Sequence, residues 1–382
     1  MAKGVLEKID NKVTGGFLIS KHQLEQSEVK FDKQIKLHLG GHPLPDKRSL
    51  DSAKKLEKFI SKIDKNDLII NLISGGGSAL MTLPYDGISL DDIRKLTEIL
   101  LKCGATIQEI NTVRKHIDRI KGGGLAKLVF PSQIVSLILS DVIGDEVSMI
   151  ASGPTTNDET TFLNAIDIIR KYNIETDIPK SILIHLEKGL QGEVPETVKF
   201  GEPYLKSVSN IVVGSISSVV DSAEKTAQTL GYNTVVLDKK LEGEASEVGK
   251  TIVTKFINKY KKNLIKLPAC YIAGGETTVT IFGDGKGGRN QEFVLGAFEQ
   301  FENFDNCCLI SLATDGEDGP TDAAGAFVTG VSVMNAREKG LIPLQYLRNN
   351  DSYSFFEQLG NLIRIGPTGT NVNDLILIFA FK

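Results

Sequence analysis

Short apolar runs rich in Ile, Leu and Val alternate along the chain with segments whose apolar residues recur at helical spacing. Leu68–Ile73 is apolar almost throughout, as expected of a strand covered on both faces of a parallel sheet. Gln133–Leu139 and residues 210–213, 234–237, 270–273 and 307–312 have the same character. Between them lie helices with readable ends. Ser89 precedes Leu90, Ile93, Leu96, Leu100 and Cys103, with Asp92 at the third helical position and Gly104 as the stop. Thr106 with Glu109 forms a second capping box, and its helix is predicted to run through the basic stretch to the glycines at 122–124. Such alternation predicts an α/β fold with mostly parallel sheets.

A break falls near residues 191–208, where Pro195, Pro203 and two glycines interrupt any periodic apolar face. A new strand–helix–strand pattern follows it. Two α/β domains are therefore predicted, residues 1–205 and 206–382, with the cleft between them as the default ligand site.

Composition narrows the function classes. Against 44 Lys and Arg stand 48 Asp and Glu, a net charge of -4, so the basic stripe of a nucleic-acid binder is not expected. No apolar run approaches the roughly 18 residues of a membrane span, and the N-terminus lacks the apolar core of a signal peptide. The 4 cysteines form no CxxC pair, which argues against a zinc site or a disulfide framework. A cytoplasmic, reduced protein is predicted.

The 37 glycines cluster, and the clusters carry the candidate chemistry. Ser74, Gly75, Gly76, Gly77 and Ser78 directly follow the strand Leu68–Ile73, so their backbone N–H groups are placed to cradle a phosphate or carboxylate. Arg114, Lys115, His116, Arg119 and Lys121 precede a second triple glycine; on one helix, 115 and 119 would share a face, as would 116 and 120. Asp141 and Asp145 end a strand, where a carboxylate can act as a general base or hold a metal. A glycine-rich stretch at 283–288, expected to be flexible, delivers Arg289 and Asn290 to the start of a helix. Asp315, Glu317, Asp318 and Asp322 crowd one turn, and Asp315 with Asp318 are the candidates for Mg²⁺. Several anion-ready loops, one arginine and an acidic cluster together suggest phosphoryl transfer, which asks mainly for positioning and charge neutralisation.

The segments NLISGGGSALMTLP, NTVRKHIDRIKGGGLAKL, LILSDVIGDEVSMIASGPT, GGETTVTIFGDGKGGRNQEFVLGAF, ATDGEDGPTDAAGA and GPTGTNVNDL resemble the glycerate 2-kinase family with its MOFRL-type C-terminal domain, in family order along the whole chain. The resemblance implies ATP- and Mg²⁺-dependent phosphorylation of D-glycerate, with 2-phosphoglycerate as the expected product and 3-phosphoglycerate as the alternative if the 3-hydroxyl attacks. It places the phosphate loop on residues 74–78, the mobile arginine on Arg289, the strand-end aspartates on Asp141 and Asp145, and a substrate-side turn on His42, Pro43, Pro45 and Asp46. Asn290 joins His42 as a substrate contact. Family members also carry the label hydroxypyruvate reductase, but no GxGxxG dinucleotide fingerprint stands here. Related chains begin with an earlier strand and a Gly-Lys-Ala motif whose lysine Lys3 does not replace. The comparison thus implies a truncated start, with Lys47 or Lys115 as substitute cations, or else a non-catalytic protein that senses glycerate or a nucleotide.

Overall fold

Helix starts are decided by side chains that satisfy the first free N–H groups. Ser89 accepts from the Asp92 N–H at 3.1 Å while the Asp92 carboxylate accepts from the Ser89 N–H at 2.9 Å, and the helix Leu90–Lys102 begins there. Thr106 and Glu109 open Ile107–His116 by the same exchange. That helix stops at His116 and does not continue to residues 122–124. The reason is Asp118, whose carboxylate takes the N–H groups of Leu83 and Ile120 at 3.0 Å each and draws the chain into a turn. Ile117 and Ile120 bury themselves as it turns, so the expected side-by-side faces of 115/119 and 116/120 do not form.

In the computed structural model, which describes residues 1–9, 12–21 and 35–381, the chain divides into two compact units. The first comprises residues 1–138 and 146–213. Strands β1 (Gly16–Ser20) and β2 (Ile35–Leu39) pair in parallel. Strands β3 (Leu68–Ile73), β4 (Gln133–Leu139) and β5 (Val208–Gly214) form a second sheet in that order, with β3 and β4 parallel. One core joins Leu96 and Leu100 to Phe162, Ile169, Ile182 and Leu186, and another joins Ala53, Leu83, Ile120 and Ile134.

The second unit comprises residues 139–145 and 214–382. Its segment 139–145, which a single boundary near 205 assigns to the first domain, packs here through Ile143 against the cluster of Ile216 and Val220. Strands β6 (Asn233–Leu241), β7 (Ala269–Gly275), β8 (Cys307–Ala313), β9 (Gly325–Thr329), β10 (Leu362–Ile363) and β11 (Asp374–Ala380) make one sheet in the order β10-β9-β8-β11-β7-β6. The α/β class stands, but in this sheet only β6 and β7 pair in parallel among the described residues. The cause is β11, which inserts between β7 and β8 and runs antiparallel to both. Apolar runs alone do not distinguish strands buried by an antiparallel insertion from strands buried in a parallel sheet. Among the described residues no helix is long and apolar enough to cross a membrane.

Helices cover this sheet closely, with Phe293, Phe298, Phe301, Phe355 and Phe356 in the core beneath them. At Gly249, in the helix Ala245–Lys261, an added Cβ would lie 2.2 Å from the Phe293 carbonyl oxygen. Gly249→Ala must push two helices apart, at a cost of about 1–3 kcal/mol. The unfolding midpoint in urea should drop accordingly, and an unchanged midpoint would contradict the close approach.

Candidate active site

In the first unit β3 runs directly into residues 74–78. Gly76 takes φ 78°, and a Cβ there would lie 2.7 Å from the His42 ring; one at Gly77 would lie 2.9 Å from the Ala151 side chain. The glycines let the His42 turn and the Ala151 turn close on the loop, so the structure brings His42 and the loop together. Among the described residues, the N–H groups of Gly75, Gly76, Gly77 and Ser78 donate to no protein acceptor. Ser78 Oγ shares a hydrogen bond of 2.9 Å with Ser152 Oγ, which donates to Asn111 Oδ1 at 3.1 Å. His42 has its pKa lowered by partial burial and by the nearby Lys21 charge, which favours the neutral imidazole. Asp46 caps the helix Lys47–Ile60 by accepting from the N–H groups of Arg48 and Ser49. Lys115, a candidate substitute cation, is buried and paired with Asp158 at 3.2 Å, whereas Lys47 is exposed at the first position of its helix.

In the second unit the centre of charge is Asp318. It is 1 % exposed and sits at the start of the helix Arg289–Gly296. One carboxylate oxygen accepts from the Asn290 N–H at 3.1 Å and the Asn290 side-chain amide at 3.3 Å. The other accepts from the Gln291 N–H at 2.9 Å and the Gln291 side-chain amide at 3.0 Å. Gly288 permits this, since a Cβ there would lie 2.3 Å from the Asp318 carboxyl carbon. Asp318 is therefore a helix anchor, and both its oxygens are already engaged, which withdraws it from the magnesium pair. Asp315 is partly buried and accepts from the Glu317 N–H at 3.0 Å. Among the described residues no group of three or more His, Cys, Asp or Glu side chains is arranged to hold a metal ion.

Arg289 is held and not free. Its Nε and one terminal nitrogen donate to the two oxygens of Asp374, at 2.6 and 3.1 Å, and its other terminal nitrogen donates to Glu276 at 2.6 Å. The side chain stays 29 % exposed, and the guanidinium keeps spare donors on both terminal nitrogens. Its pKa is driven up by Asp374, Glu276 and Asp318, so it is always charged. Asn290 is buried in the same network, donating to Asp374 at 3.0 Å and accepting from Ser311 at 2.6 Å. The stretch 283–288 is likewise pinned. Asn350 accepts from the N–H groups of Phe282 and Gly283, and the Asp351 carboxylate accepts from the Lys286 N–H. Its glycines serve close contact with residues 349–352, where any Cβ at Gly283, Gly285 or Gly287 would collide.

Asp141 and Asp145 follow β4 in the same unit. Burial pushes the Asp141 carboxyl pKa up, and its carbonyl oxygen accepts from the Asn373 side chain at 3.0 Å. Asp145 takes φ 58°, a left-handed conformation, and its buried Oδ1 has no hydrogen-bond partner. Sequence reasoning missed Glu276 and Asp374. Both stood inside quoted motifs, at strand ends next to glycine or asparagine. What assembles them is the register that sets Asp374 opposite Gly275, which no local pattern announces.

These features define a two-unit α/β protein with unpaired N–H groups on a glycine loop in one unit and a braced arginine in the other. Two family models match the chain: a domain of unknown function, DUF4147, over residues 1–187, and the MOFRL family over residues 269–374. A D-glycerate 2-kinase from Thermotoga maritima is 41% identical over 378 residues, covering 99% of this chain and 87% of the relative. A glycerate 2-kinase from Pyrococcus horikoshii is 44% identical over 90% of this chain and 78% of its own length. The crystal structure of the glycerate kinase from Thermotoga maritima superposes with a TM-score of 0.91 at 40% identity, over 100% of this chain and 88% of that one. The chain belongs to the glycerate 2-kinase family.

Burial and the neighbouring Asp374 outweigh the hydrogen bonds on Asp318 and push its pKa up from 3.8 to about 6. Between those values the folded state keeps a proton that the unfolded state has released, so stability falls as pH rises. The loss from this group alone is about 3 kcal/mol, complete above its folded pKa. Asp318→Asn cannot titrate. Urea unfolding measured across this pH range should show a falling stability for the wild type and a distinctly flatter one for the variant. Parallel curves would show that Asp318 is ionised throughout.

Proposed function

We propose that the chain transfers a phosphoryl group from ATP to D-glycerate, forming 2-phosphoglycerate. The observation that carries this reading is the fixed guanidinium of Arg289. It is oriented by Asp374, braced by Glu276, and keeps donors free for the charge that builds up on a transferring phosphoryl group. The unpaired N–H groups at residues 75–78 supply a second anion cradle, suited to a nucleotide phosphate. His42, neutral and packed on that loop, is a hydrogen-bonding contact for the substrate. Asp141 or Asp145 orients or deprotonates the attacking hydroxyl; the unpartnered Oδ1 of Asp145 and the burial of Asp141 both suit an acceptor awaiting a proton. Magnesium would arrive with the phosphates of ATP, and Asp315, partly exposed with one oxygen engaged by the Glu317 N–H, is the chain's own candidate ligand to it. The names of the relatives, D-glycerate 2-kinase and glycerate 2-kinase, point to the same substrate.

Incubation with ATP and D-glycerate followed by ³¹P NMR identifies the product. The reading expects a phosphorus signal coupled to the single methine proton at C2. Coupling to the two C3 protons would reassign the acceptor hydroxyl, and binding without turnover would favour a sensor. Arg289→Lys keeps the charge but loses the fork that Asp374 aligns. Turnover should fall at least about tenfold, equivalent to about 1.4 kcal/mol. Wild-type turnover for that variant would remove Arg289 from the chemistry.

A further inference from the structure

The basic stretch of the first unit sorts itself by partner. Lys115 meets Asp158 at 3.2 Å, His116 meets Glu196 at 3.2 Å, Arg119 meets Glu57 at 2.6 Å and Lys121 meets Asp118 at 2.6 Å. Arg114 is the exception. Among the described residues it has no ion pair, and its one hydrogen bond is a long one of 3.4 Å to Thr97 Oγ1. Asp118, whose charge acts on Arg114, is already committed to two backbone N–H groups and to Lys121. A guanidinium withdrawn from water without a counter-charge is costly, and an anion is what relieves that cost.

Arg114 lines a small cavity together with Pro45, Ser78, Thr97 and Lys121. Its free interior is close to one water molecule in size, so what enters is the end of a ligand. Ser78 belongs to the glycine loop, and Pro45 to the turn that carries His42. The sequence offered five cations in this stretch with no reason to choose among them; among the described residues, their pairing leaves Arg114 without an opposite charge.

We propose that Arg114 receives the carboxylate of the acceptor substrate. One carboxylate oxygen takes the water-sized space beside the guanidinium, and Lys121 supports it with its remaining donor. This rests on the reading that D-glycerate is the acceptor and assigns one of its groups to a residue. Arginine suits the task because its planar fork matches a carboxylate, which lysine cannot reproduce.

Calorimetric titration of D-glycerate and, separately, inorganic phosphate into the full chain without nucleotide tests this, for wild type, Arg114→Lys and Arg114→Gln. The affinity for D-glycerate should weaken at least about tenfold in Arg114→Gln and by a smaller factor in Arg114→Lys, while phosphate binding stays unchanged. Unchanged glycerate affinity, equal weakening for both ligands, or loss of phosphate binding alone would each overturn the assignment. If the variants do not fold, hydrogen exchange on the wild type decides: D-glycerate should protect residues 78–82 and 111–121, and no protection there refutes the site. Wild-type protein that binds D-glycerate through Arg114 yet forms no product would sink the kinase reading and leave this one standing. Turnover with an unaltered KM for D-glycerate in Arg114→Gln would do the reverse.

Discussion

The helix that carries Arg289 begins on a buried carboxylate, and much of the second unit's chemistry follows from that contact. Asp318 holds the first N–H groups of the helix Arg289–Gly296 and two side-chain amides beside them. Four donors on one carboxylate fix where the helix starts and how it is turned. Arg289, at its first position, can then meet Asp374 with two hydrogen bonds. Asp374 is itself 2 % exposed and fixed at the first position of β11. The two acids thus act as a frame. One sets the helix and the other sets the guanidinium, whose positive charge offsets part of the cost of burying Asp374.

The first unit handles charge by a different rule. In its basic stretch Lys115, His116 and Arg119 are each matched to a carboxylate from another part of the chain, Arg114 has no such partner among the described residues, and the turn after the helix Ile107–His116 is shaped by Asp118. Matching leaves little free positive charge inside the unit. Unpaired donors remain on the backbone of the glycine loop, at Gly76 and Gly77 among the described residues. The same glycines admit the His42 ring and Ala151 to close contact. One sequence feature therefore serves both packing and anion access.

Local signals were legible where a local cause decides the structure. The capping boxes at Ser89 and Thr106 stand as read, and β3 and β4 match their apolar runs residue for residue. What depended on distant partners was not legible. The antiparallel insertion of β11 joins residues 374–380 to strands that begin at Ala269 and Cys307. The end of the helix at His116 is set by an aspartate reaching back to Leu83. The stretch 283–288 reads as flexible because glycines are permissive, yet here they are small enough to lie against residues 349–352. The turn holding Asp315 and Asp318 reads as a metal site because acids cluster there, and only burial reveals that Asp318 holds a helix.

The central claim is that Asp374 makes Arg289 effective by orienting it. A double-mutant cycle on kcat/KM for D-glycerate, with Arg289→Lys, Asp374→Asn and the pair, measures that dependence directly. The account predicts strong non-additivity: once Asp374 no longer aligns the guanidinium, losing the fork at position 289 costs little more, and the double variant falls close to the worse single one. Losses that simply multiply would show that Asp374 and Arg289 act independently, and would contradict the account.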